Sequence, residues 1–162
     1  GAVASYIHGG SKIGVLIEVN NDKPETFTNE TFKTYYHDLT LQIAAARPGY
    51  VIKSEVPTDT LDKEKEILIA QIKNDPKNAN KPEQIIQKMV EGRLGKFYEN
   101  NCLLNQAFVK NGDITVGQYV AQMSEKSGGT FKVAEFVRFE KGEGLQKRED
   151  NFADEVASMI KN

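Results

Sequence analysis

The chain has 162 residues, 39% of them hydrophobic and 27% charged, with a formal net charge of -2. These are the proportions of a soluble globular domain rather than a disordered polymer, and the near-neutral charge excludes a global attraction for nucleic acid or anionic lipid. No apolar run approaches the roughly 20 residues that a bilayer-spanning helix needs.

GAVAS at the start has neither the basic flank nor the apolar core of a signal peptide, and Gly1 without a preceding Met reads as the start of a fragment. Ala4 to His8 and Lys12 to Asn20 read as two strands joined through Gly9, Gly10 and Ser11, turn residues able to take positive φ. In the second strand Ile13, Val15, Ile17 and Val19 alternate with Gly14, Leu16, Glu18 and Asn20, which makes one face apolar. Asn20 to Asn29 is polar, holds Pro24 and reads as a loop. A helix follows from about Glu30 to Arg47. Phe32, Tyr36, Leu39 and Ile43 form its core stripe, Ala44 to Ala46 allow close packing, and Pro48-Gly49 ends it. Tyr50 to Val56 reads as short and extended, closing at Pro57.

Thr58 or Asp59 is placed to cap a second helix, which runs to about Asn74 and stops before Asp75-Pro76. Its apolar residues, Leu61, Ile67, Leu68, Ile69 and Ile72, are sparse among charges. Asp75 to Lys81 is a hairpin-like link. A third helix then begins, with Pro82 suited to its first turn. Ile85, Ile86, Met89, Val90, Leu94, Phe97 and Tyr98 form a broad stripe opposite Lys, Glu and Gln. Two consecutive helices with a short polar link read as an antiparallel pair projecting from the body.

Leu104 to Val109 and Lys132 to Phe139 read as strands, the second with Val133, Val137 and Phe139 on one face and Ala134 and Phe136 on the other. Between them lies a helix from about Thr115 to Lys126, with Val116, Tyr119, Val120 and Met123 inward. Lys141 to Asp150 mixes charges of both signs and reads as a solvated loop. The last helix is Asn151 to Lys161, with Phe152, Val156, Met159 and Ile160 as its stripe. The expected class is α+β: an antiparallel sheet packed with helices, a protruding two-helix, coiled-coil-like arm, and a C-terminal helix. The expected division is a core of residues 1–57 and 104–149, an arm of 58–103 and a C-terminal module of 150–162.

No pattern in the chain nominates catalysis. Cys102, beside Leu103 and Leu104, reads as a buried structural thiol. With His8 and His37 it makes too few and too scattered ligands for a zinc site. Gly9-Gly10 and Gly142-Glu143-Gly144 lack the phosphate-loop spacings, and no Ser sits in a G-x-S-x-G elbow. The carboxylates lie among lysines on helix surfaces and nominate no acid–base pair. The expectation is therefore no catalytic residue, no cofactor and no metal. His8 admits two readings, a turn-anchoring hydrogen bond or a side chain presented to a partner, while His37 reads as structural. The stripe on the third helix packs against the second helix, or pairs the chain with itself through what remains exposed. The last helix is too short to be stable alone and needs a docking surface.

KPEQIIQKMVEGRLGKF with LLNQAFV, spanning Lys81 to Val109, resembles the signature helix and following strand of bacterial elongation factor Ts. SYIHGGSKIGVLIEVN, HDLTLQIAAARPGYV and VAEFVRFEKGEGLQKREDNFADEVA are similar to other segments of that family, in its order and over most of the chain. The resemblance implies a cytoplasmic protein that binds elongation factor Tu and promotes GDP release, without enzymatic chemistry. It implies partner contacts at His8, Gly9 and Gly10 and at Phe152, Val156 and Met159. The alternative is a module that forms a homodimer through the arm residues Leu61, Leu68, Ile72, Ile86, Met89, Leu94 and Phe97. The chain departs from the family in lacking its N-terminal helical domain. It also has Lys23-Pro24-Glu25-Thr26 where short-form members carry Thr-Asp-Phe-Val. These departures imply the C-terminal half of a long-form protein.

Overall fold

The computed structural model describes residues 1–78 and 80–145. The expected C-terminal helix, with Phe152, Val156 and Met159, lies outside the described residues. The class is α+β, as the periodicities require. Strands β1 (Ala2–His8), β2 (Ile13–Asn21) and β5 (Phe131–Glu140) form an antiparallel sheet in the order β1-β2-β5. A small hairpin pairs β3 (Ala107–Phe108) with β4 (Asn111–Thr115). Helices α1 (Glu30–Ala46) and α4 (Val116–Ser127) pack on one side of the large sheet. Helices α2 (Thr58–Asn74) and α3 (Glu83–Asn101) pack on each other as the arm.

The main core forms where the apolar face of β2 meets α1. Val15, Ile17 and Val19 lie against Phe32, Tyr35, Tyr36, Leu39 and Ile43, and Val116, Val120, Met123 and Phe131 close the far side. Helix α1 starts at an Asn29 cap whose side chain accepts from Thr31 N, and it ends at Arg47 in the left-handed region, φ 50°. Helix α4 has a reciprocal capping box between Thr115 and Gln118. A second, separate apolar cluster lies inside the arm, built of Leu68, Ile72, Ile86, Val90 and Leu94.

Five local readings need correction. Asn20 to Asn29 contains a 3₁₀ turn, Pro24–Thr28, begun by the proline. Tyr50 to Val56 is not extended throughout. Lys53–Glu55 forms a 3₁₀ turn, and only Tyr50 makes a strand-like bridge, to Cys102. Neither Thr58 nor Asp59 caps α2, because the helix begins at Thr58 with Pro57 in the cap position and no side-chain cap. Leu104 to Val109 is a 3₁₀ turn, Leu103–Asn105, followed by a two-residue strand whose partner β4 lies in a polar stretch. In β5 the register slips between Glu18 and Val19, so that Glu135 faces Glu18 and Val133 faces Val19, leaving Ala134 as a bulge. Val133 and Phe136 therefore point to the core, while Val137 and Phe139 point away from it.

Candidate partner-binding surfaces

The β1–β2 connection is a tight loop in which Gly9, Gly10 and Ser11 hold φ of 63°, 65° and 67° in succession. Glycine tolerates that conformation freely and serine at a cost, so glycine at two of the three positions spares the loop most of that cost. Lys12 N donates to His8 O at 3.1 Å and closes it. The His8 ring is exposed, and its Nδ1 lies 2.8 Å from the Tyr6 hydroxyl. His37, exposed on α1, meets the Tyr6 ring edge-on, with centroids 5.2 Å apart. The chain's two histidines therefore converge on one tyrosine, which holds His8 at the root of the loop.

The arm residues are placed differently. Leu68, Ile72, Ile86 and Leu94 are buried inside the helical pair, with Leu61 and Met89 partly buried beside them. Phe97 is half-buried and packs edge-on against Tyr98, at 5.9 Å. The expected stripe is thus largely consumed within the arm. Ile67 and Ile85 stay exposed, at 51% and 42%. Cys102 is fully buried, and burial pushes its thiol above the usual range, which suits packing and not nucleophilic attack. Among the described residues, no group of three or more His, Cys, Asp or Glu side chains is arranged to hold a metal ion.

A further apolar surface is one that periodicity alone did not single out. Among the described residues, helices cover the sheet on one side only. On the other side cross-strand rows align Ile7 with Gly14 and Phe139, and Ser5 with Leu16 and Val137. Val3, Ile7 and Phe139 are 71%, 63% and 65% exposed. Ile7 lies across Gly14, its Cδ1 3.5 Å from where a Cβ would stand there. A groove of about 390 Å³ opens between Ile7, Gly14 and Phe139, floored at one end by Lys12 and Lys141 beside the His8 loop. The signal in the sequence was the apolar content of Val3, Ile7 and Leu16, on the face opposite the core stripe. The bulge at Ala134 hid the rest, because it adds Val137 and Phe139 to that outer face.

At the edge of this surface Glu140 accepts from Arg138 at 2.8 Å and from Arg47 at 3.0 Å. The Arg138 hydrogen bond, with Arg47 assisting, holds the Glu140 carboxyl below the usual carboxylate range. The arrangement can dock a protein surface against a rigid, partly apolar face with a glycine loop at one corner.

Comparison with known proteins bears on what that surface serves. A family model described as Elongation factor TS matches residues 1–143. The chain is 50% identical over 161 residues to elongation factor Ts of Desulforamulus reducens, covering 99% of this chain and 72% of that protein. It is 48% identical over 160 residues to elongation factor Ts of Acetivibrio thermocellus, covering 99% and 73%. With that of Clostridium botulinum it shares 46% over 160 residues, covering 99% of this chain but 50% of the relative. A two-helix arm, a glycine loop after a histidine and a one-sided sheet are thus held within a match that runs nearly end to end, and the chain belongs to the elongation factor Ts family.

Proposed function

We propose that this chain is the partner-docking portion of a guanine-nucleotide exchange factor of translation elongation, binding elongation factor Tu in the cytoplasm. The observation that carries this reading is the near-complete alignment with elongation factor Ts proteins at about half identity. The His8-Gly9-Gly10 loop supports it physically. The Lys12 N to His8 O bond closes the loop, and the Tyr6 hydroxyl holds His8 at its root, so the loop is presented at one corner of the sheet. Phe152, Val156 and Met159 are proposed as the second contact.

Exchange by such a factor is differential binding. A protein that prefers the nucleotide-free partner lowers nucleotide affinity by the same coupling free energy. The chain carries Lys23-Pro24-Glu25-Thr26 where a Thr-Asp-Phe-Val element is expected, so it supplies contact area without the group that disturbs the nucleotide site. Residues 1–162 are expected to bind elongation factor Tu weakly and to accelerate GDP release poorly. Release of a fluorescent GDP analogue from elongation factor Tu, followed against added chain, tests this. Full-rate release by residues 1–162 would sink the reading of an incomplete exchanger.

A second reading, self-association, is favoured by the sheet face that the described helices leave open. The arm stripe is occupied internally, whereas Ile7, Leu16, Val137 and Phe139 share one open surface. A second copy is the natural occupant, since two identical one-sided sheets can pack face to face at about 10 Å and cover each other.

A further inference from the structure

We propose that Gln106 is a latch that fixes the direction of the arm relative to the core. Gln106 is 4% exposed and follows the 3₁₀ turn at the arm's return to the core. Its Nε2 donates to Ala46 O at 3.1 Å and to Asn100 O at 2.9 Å. Ala46 ends α1 and Asn100 stands one residue from the end of α3. Both carbonyls belong to last turns, where no intrahelical donor reaches them. One side chain thus ties the C-terminal end of a core helix to the C-terminal end of an arm helix.

The amide is itself held. Its Oε1 accepts from Gln42 Nε2 at 3.2 Å, and Gln42 also donates to Ala107 O at 3.1 Å and accepts from Val109 N at 2.8 Å. Each of the two glutamines uses both of its N–H groups and its carbonyl oxygen. The orientation of Gln106 follows from chemistry, because two carbonyls can face only the nitrogen of an amide. A buried network with every member satisfied is rigid, and its loss leaves unpaired groups in a low-dielectric site.

The other ties between arm and core cannot fix a direction as firmly. The arm's apolar cluster is separate from the core cluster, so hydrophobic packing does not orient one on the other. Gly49 and Tyr50 N donate to Asn101 O, Leu103 N to Tyr50 O and Leu104 N to Val51 O, all along two chains that cross side by side. Such a crossing permits rotation about its own line. Lys53 stands 5.1 Å from the Tyr98 ring centroid, a weak tie at an exposed side chain. The Gln106 amide, bonded beside that crossing to both Ala46 O and Asn100 O, opposes the swing. The leverage is large: over an arm of roughly 25 Å, set by 17 residues at about 1.5 Å each, a swing of about 10° moves the tip about 4 Å.

This inference stands on the arm–core geometry and holds with or without elongation factor Tu. Its test is a distance distribution by pulsed electron paramagnetic resonance in the full chain. Nitroxides are placed at Lys77→Cys on the arm tip and Lys132→Cys on β5, in a Cys102→Ala background. Without further change a single narrow distance is expected. Gln106→Met, and more gently Gln106→Asn, which is too short to span both carbonyls, are expected at least to double the width or shift the mean by several Å, at temperatures well below unfolding. Gln42→Met is the control for a merely structural role. It removes the partners of Val109 N and Gln106 Oε1 and lowers the melting temperature, but it leaves both latch bonds and the narrow distance. A broad distribution in the unchanged chain, an unchanged one in both Gln106 variants, or equal broadening by Gln42→Met would overturn the latch.

Discussion

Tyr35 and Tyr36 on α1 and Tyr119 on α4 differ in one respect that stability measurements can read. The hydroxyls of Tyr35 and Tyr36 are buried without a hydrogen-bond partner, whereas Tyr119 donates to Asp38 Oδ2 at 2.9 Å, beside the Lys110 ammonium. A buried hydroxyl without a partner carries a desolvation penalty, and a bond to a charged carboxylate is worth about 1.5 kcal/mol or more. Tyr35→Phe is therefore expected to be neutral or to stabilise by up to about 1 kcal/mol, and Tyr119→Phe to destabilise by about 1.5 kcal/mol, in urea unfolding at pH 7. Burial holds all three phenols far above the usual tyrosine range, with the Asp38 hydrogen bond adding to the effect at Tyr119. A raised folded-state pKa means that stability is fully present below the unfolded value, near 10, and is lost as pH climbs past it. Each Tyr→Phe change should flatten that alkaline loss, and no flattening in Tyr35→Phe would contradict the assignment. Tyr36 was legible as core from its spacing with Phe32, Leu39 and Ile43. Asp38, Gln42 and Gln106 were not, because a polar residue reads as surface until its buried partners, far away in sequence, are known.

Helices were the most legible elements, because a 3.6-residue stripe survives any tertiary detail, and α1 buries the four residues its pattern names. The third helix was equally plain, although its stripe identified a helix without saying what would cover it. Strands fared worse for a geometric reason. One bulge reverses the facing of every residue beyond it, so Val137 and Phe139 read as sharing the face of Val133 while standing on the opposite one. The two-residue β3 gives no period at all, and β4 is built from turn-forming Asn111, Gly112 and Asp113. The separation of the two apolar clusters has a consequence for the arm. Ile86, 2% exposed, packs only within the arm cluster, so Ile86→Ala opens a cavity there costing about 3 kcal/mol. Hydrogen exchange should show lost protection along α2 and α3 with α1 and β2 unchanged. Equal loss of protection in the core would mean that arm and core unfold as one unit.

The described helices cover one side of the sheet, and the size of the apolar face they leave open decides what that face can hold. Three strands at about 4.8 Å spacing and three residue rows, the third being Val3–Glu18–Glu135, give a flat centre of roughly 300 Å² a side, well below the roughly 800 Å² per partner of a standard specific interface. A second copy seated there should therefore bind weakly and reversibly, and not as an obligate dimer. The rows Ile7–Gly14–Phe139 and Ser5–Leu16–Val137 would pack on their equivalents, with Ile7 lying over Gly14 as part of the contact. Phe139→Glu places an acid within that contact, where it would be desolvated without a counterpart. Because Phe139 is already exposed in the free chain, the substitution should cost the monomer little. Sedimentation equilibrium over a hundredfold concentration range should then show a monomer–dimer equilibrium for the unchanged chain and a monomer for Phe139→Glu. Ile67→Glu, on the outer surface of the arm, should dimerise like the unchanged chain. If Ile67→Glu dissociates the dimer and Phe139→Glu does not, the arm and not the sheet is the self-association surface.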